Sequence, residues 1–250
     1  MNPWDKSHSQ MSSNSATRAV ERDEGLRSYM LRVYNYMASA LILTGVVAYL
    51  ASGSEAIMGA LYSVSPEGYM QMSPLGWIVA LAPIGFVFFL GFRIQKMSFQ
   101  AAQMTFWAFA AIMGLSLSYI FLTFTGASIT RVFFITAGTF GGMSLYGYTT
   151  KRDLTSMGSF LMMGLIGLII ASVVNIFLGS TLLHFAVSIL GVGVFLGLTA
   201  YDTQKLKTMY YHLAGNGEAL AKSSLMGALS LYLDFINLFI MLLRLFGERR

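Results

Sequence analysis

Seven stretches of the chain are apolar over close to the roughly 20 residues that a bilayer crossing needs, and short polar connections separate them. They cover residues 33–52, 75–92, 101–124, 132–148, 158–178, 183–201 and 224–246, and each predicts a membrane helix. Everything before Arg32 is polar and rich in Ser, without the apolar core of a signal peptide. Residues 1–31 are therefore expected to form a mostly disordered cytoplasmic tail, and 32–250 a single transmembrane domain.

The last segment differs from the others. Asp234 lies near its middle and is the only acidic residue deep inside any of the seven. A charge at a bilayer centre costs about 2.5 kcal/mol or more, so an intramembrane carboxyl is read first as a functional site. Ser223, Gly227, Ser230, Asp234, Asn237 and Met241 recur at spacings of four and three, forming one stripe on a helix whose other positions are almost all apolar. Such a helix turns its small, polar stripe toward other protein and belongs near the centre of a bundle. Ser230 and Asn237, flanking Asp234 on that stripe, are candidates to line a path.

Composition agrees with a membrane class. The 250 residues are 56% hydrophobic and only 11% charged, against about a quarter charged in a soluble domain. The absence of Cys excludes disulfides, thiolate metal sites and cysteine nucleophiles. The net charge of +5 is a topological signal, since no basic patch with interleaved aromatics points to nucleic acid. Lys6, Arg18, Arg22, Arg27 and Arg32 precede the first segment, and the alternate loops on that side carry Arg93, Lys96, Lys151, Arg152, Lys205, Lys207 and Lys222; the intervening loops hold only Arg131. The N-terminus is thus expected in the cytoplasm. Arg244, Arg249 and Arg250 fit that rule only if the last segment re-enters, but its 23 residues reach about 34 Å, enough to span.

Asp202, at the cytoplasmic end of the sixth segment, is the natural partner for Asp234. Two carboxyls close together in a low-dielectric site cannot both ionise cheaply and share a proton, which is the physics of a pH sensor. The plainer alternative makes Asp202 a helix-end group in the headgroup region and Asp234 a hydrogen-bonding strut.

Three stretches, Leu198-Thr-Ala-Tyr-Asp-Thr-Gln-Lys-Leu, Ser230-Leu-Tyr-Leu-Asp-Phe-Ile-Asn-Leu-Phe and Ser144-Leu-Tyr-Gly-Tyr-Thr-Thr-Lys-Arg-Asp-Leu, resemble the Bax-inhibitor-one family in its bacterial inner-membrane branch. The resemblance covers about residues 25–250. It implies an all-α fold of seven transmembrane helices, six surrounding a central seventh, and a proton-sensitive calcium leak governed by two aspartates, matched here by Asp202 and Asp234. It also implies a latching arginine near the cytoplasmic end of helix two, for which Arg93 is the nearest candidate, with Lys96 close by. A Gly-bearing loop around residues 211–222 reads as longer than the family's channel form has.

Other residues carry weaker signals. Asn175, near the small face Gly164, Gly167 and Ala171, either lines a path or hydrogen-bonds between helices. Gly138 with Gly142, and Gly193 with Gly197, have the spacing of close helix contacts. His184 and His212 lack ligand spacing, so no metal centre or cofactor is expected, and Asp153 reads as a solvated charge or helix cap. Phosphate loops, HExxH and GxSxG are missing, so an enzyme is not expected; an intramembrane aspartyl protease would need a Gly-Leu-Gly-Asp type motif that the chain lacks. The functional expectation is a pH-sensitive leak for calcium or another cation, in contact with membrane lipid. Its rivals are a non-conducting regulator that binds a membrane protein partner and a proton-coupled carrier of a small solute.

Overall fold

A computed structural model describes the backbone over residues 3–64 and 70–250, and side chains over 22–63 and 71–250. Among the described residues nine α-helices follow in order: α1 (Pro3–Ser52), α2 (Glu55–Leu61), α3 (Pro74–Arg93), α4 (Phe99–Leu117), α5 (Tyr119–Thr123), α6 (Gly126–Thr149), α7 (Thr155–Leu178), α8 (Thr181–Leu213) and α9 (Gly217–Phe246). A two-stranded antiparallel ribbon, β1 (Tyr62–Val64) with β2 (Met70–Met72), joins α2 to α3. Among the described residues six helical stretches are long and apolar enough to cross a membrane, which makes this an all-α integral membrane protein. The fourth apolar stretch of the sequence lies in α6, which is as long as α7 but is diluted by Gly, Ser and Thr and is not one of those six.

The packed part of α1 begins earlier than the sequence implies. Leu26, Tyr29, Met30 and Val33 recur at helical spacing and all four are buried, so the polar residues among them are the outer face of a helix rather than part of a disordered tail. The expected disorder before residue 22 falls on residues whose side chains lie outside the description. The third segment also breaks: α4 and α5 are separate helices that meet at the buried Ser118, whose hydroxyl donates to the Leu115 carbonyl.

α9 packs on α8 most extensively, and also on α1, α6 and α4. Of its most apolar window 72% is buried, against 11% for α7, so α9 faces protein on nearly every side while α7 turns most of its surface outward. Hydroxyls join the helices around it. Thr44 Oγ1 of α1 donates to the Ala110 carbonyl of α4 and lies 2.7 Å from Tyr232 Oη of α9, whose ring stands edge-on to Phe109.

Past Gly247 the chain doubles onto the α5–α6 turn. Thr125 N donates to Glu248 O, Arg250 N to Thr123 O and Glu248 N to Ser128 Oγ, and Arg131 pairs with Glu248 at 3.2 Å. α9 is thus one continuous helix of 30 residues ending beside Arg131, with no re-entrant bend.

Candidate functional site

The polar stripe of α9 is its contact with α8. Ser223 Oγ donates to Met209 Sδ at 2.9 Å. A Cβ on Gly227 would come within 2.3 Å of Leu206, and one on Gly191 within 2.9 Å of Met241. These pairs fix an antiparallel register in which each step back along α8 meets one step forward along α9. Seven steps from Met209 and Ser223 lead to Asp202 and Ser230, which are therefore level. Asp234 lies one turn, about 6 Å, further along.

The connection between the two helices is only Ala214–Asn216, not a long loop. Gly215, at φ +106, makes the turn, and Asn216 caps α9 by accepting from Ala219 N. The residues that looked like loop are helical on both sides, because α8 runs eleven residues past Asp202 and α9 starts seventeen before Asp234. This extension brings a helix-end carboxyl to the depth of an intramembrane one.

Asp234 is buried, and its Oδ2 has no hydrogen-bond partner among the described residues. The register places Asp202 of α8 about one turn from it, and Lys205 about one turn further toward the helix end. Lys205 Nζ also lies 5.9 Å from the Tyr201 ring centre. Such an orphaned buried oxygen is rare in a folded chain and asks for a functional explanation.

The other expected site residues are placed differently. Ser230 is half-buried beside the pair. Asn237, also half-buried, donates from Nδ2 to the Leu233 carbonyl of its own helix at 2.8 Å. Asn175 helps to line a cavity of about 240 Å³ with His184 of α8 and Arg244 of α9. Its Oδ1 accepts from Ser180 N at 3.0 Å and closes the end of α7, where Gly179 takes φ +59. Arg93 is exposed in the last turn of α3, whose main packing is on α4, and it makes no salt bridge among the described residues. Asp153 accepts from both N and Oγ1 of Thr155, which holds its carboxyl below the usual carboxylate range. Its support for the start of α7 is present at neutral pH and lost as pH falls through that lowered value.

Two hydroxyl clusters near the pair had only a faint signal, isolated Ser, Thr and Tyr on buried helix faces. Tyr34 Oη, Ser144 Oγ and Thr203 Oγ1 form a chain joining α1, α6 and α8, with Thr203 next to Asp202 in sequence. Tyr29 Oη meets Ser223 Oγ at 2.9 Å.

The sequence profile of the family described as "Inhibitor of apoptosis-promoting Bax1" matches residues 26–250. The chain belongs to the Bax-inhibitor family. Similar bacterial proteins include an uncharacterised protein of Rickettsia prowazekii, 55% identical over 228 residues that cover 91% of this chain and 92% of that one. Inner membrane protein YbhL of Escherichia coli is 48% identical over 232 residues, 92% of this chain and 96% of its own length. Several of this Bax-inhibitor chain's motif residues are contacts. Gly147 abuts the Ala200 backbone, Gln204 holds the 150–154 loop by accepting from Leu154 N and donating to Arg152 O, and Lys207 donates to the Tyr148 carbonyl. Among the described residues Asp202 and Asp234 make no such side-chain bond.

Proposed function

We propose that this chain is a pH-sensitive cation leak of a bacterial inner membrane, gated by Asp202 and Asp234, with calcium as the permeant that the family resemblance implies. The observation that carries the reading is the buried Asp234 Oδ2, unpartnered among the described residues, on the face of α9 that meets α8 about one turn from Asp202. A buried carboxylate without a partner costs several kcal/mol, so this packing suits a pair that holds a proton. Ionising both adds like-charge repulsion where screening by water is poor. That energy falls on the α8–α9 contact and favours a second packing of the two helices.

In this reading α6 is a seventh span, α9 is the central helix, and the N-terminus is cytoplasmic. The short α8–α9 hairpin then lies on the cytoplasmic side and the Arg131–Glu248 pair outside. The resemblance gives Arg93 a latching part. Arg93 is exposed and makes no salt bridge among the described residues, so the proposed gate is the two aspartates. The pair serves as a titrating gate and carries no catalytic chemistry, and the reading needs no cofactor.

Cation flux into proteoliposomes tests this across pH. The wild type shows pH-dependent flux, Asp234→Asn abolishes the dependence and Asp202→Asn weakens it, with folded protein recovered in each case. Absent flux, or a full pH response in the Asp234→Asn variant, removes the leak and leaves the regulator of a membrane protein partner as the better reading. Flux of a small solute driven by a proton gradient would favour the carrier.

A further inference from the structure

α1 and α6 both pack on α9 but not along each other, touching through the Tyr34–Ser144 hydrogen bond. Between them lies a cavity of about 540 Å³ that Tyr34 and Ser144 help to line, with Phe235 of α9 at its floor. A smaller one of about 100 Å³ continues it past Thr44 and Ala48 over Ile236 and Phe239. The two share Leu41, Phe133 and Phe235 and form one groove. From Tyr34 to Ala48 it extends about 21 Å along α1, longer than the roughly 15 Å of one leaflet's hydrocarbon.

We infer that this groove binds one acyl chain of a membrane phospholipid. Its rims are continuous with surface that meets lipid: Ile42 and Val46 on α1, and Phe134 and Leu145 on α6, are all at least half exposed. Its polar groups are already used, Tyr34 and Ser144 on each other and on Thr203, and Thr44 on Ala110 and Tyr232. A groove in the apolar layer that offers no free donor or acceptor gives water or a polar solute nothing to bind, whereas it suits a hydrocarbon chain. The Tyr34–Ser144 hydrogen bond ties the two walls of the groove together at one end, closer than a helix of a second copy, about 10 Å across with side chains, would need to enter there. Gly45 and Gly141 widen it, since a Cβ on either would meet nothing within 4 Å. An acyl chain seated there presses on Phe235, next to Asp234, and so on the helix that carries the buried carboxyl.

The full chain in phosphatidylethanolamine and phosphatidylglycerol vesicles, doped with phosphatidylcholine carrying a diazirine on one acyl chain, tests this by photolabelling. Phe235 or Phe239, both under a tenth exposed, should be labelled alongside the lipid-facing control Phe177, which is 85% exposed. Gly141→Leu together with Ala38→Leu should lower the α9 labelling at least fivefold and leave Phe177 unchanged. Labelling of Phe177 without any on Phe235 or Phe239 in the unaltered chain overturns the proposal. So does α9 labelling that survives filling of the groove in a folded variant. Neither result depends on whether the protein conducts.

Discussion

Asp234 has the signature of a residue kept for what it does at a cost to stability. One of its oxygens is buried without a partner, and replacing such a group with an apolar one of similar size is commonly neutral or stabilising by about 1–4 kcal/mol. Asp234→Leu should therefore unfold in detergent at the same temperature as the wild type or higher, while losing the pH response. A fall of several degrees would show that the carboxyl makes a native bond. The burial of Asp234 was legible in the sequence, because a lone acid on the small, polar stripe of an apolar helix turns toward protein. Asn175 stayed open between two roles, because a polar residue close to a helix end looks the same in sequence whether it faces a neighbour or caps its own turn. The hydroxyls of Tyr34, Thr44 and Thr203 were passed over, since Ser, Thr and Tyr are common in membrane helices and only packing shows which of them meet.

At the level of helices, the stripe on α9 was readable from its four-and-three spacing, and it does face α8. Glycine spacing was a poorer guide. A Cβ on Gly138, Gly142 or Gly193 would meet nothing within 4 Å, whereas one on Gly147 would lie 2.2 Å from the Ala200 carbonyl oxygen and one on Gly197 2.7 Å from Leu161. Two glycines four apart mark a helix face but not whether another helix lies on it. Gly147→Ala should thus destabilise the protein by about 1–3 kcal/mol or more, because backbone cannot move aside as a side chain can. Gly142→Ala should cost little and gain some helix propensity. Equal thermal shifts for the two variants would contradict the α6–α8 crossing. The α8–α9 hairpin was misjudged for a related reason: Gly215 and Gly217 looked like an extended loop, but only the three residues 214–216 are needed to turn the chain.

For the whole molecule, apolar length located every span-sized helix, but hydropathy alone ranks α6 below the others although it packs in the same bundle. The tail boundary was set too late because charged residues on the outer face of α1 masked the buried Leu26 and Tyr29. Orientation rests on the distribution of Lys and Arg. Single cysteines at Gln95, Thr155 or Lys207 should stay unreactive to an impermeant reagent added outside, and one at Ser180 should react, as should a tag placed after Arg250. External labelling at Lys207 would reverse the assignment. The order of the chain adds a constraint on biogenesis. α9, the helix most enclosed by protein, leaves the ribosome after the helices that surround it. Until it arrives, the inward faces of α1, α4, α6 and α8, with the Thr44 and Ser144 hydroxyls among them, have only lipid or one another for company. The bundle must therefore stay open for this strut, and residues 247–250, which follow it, latch onto the α5–α6 turn only once it is in place.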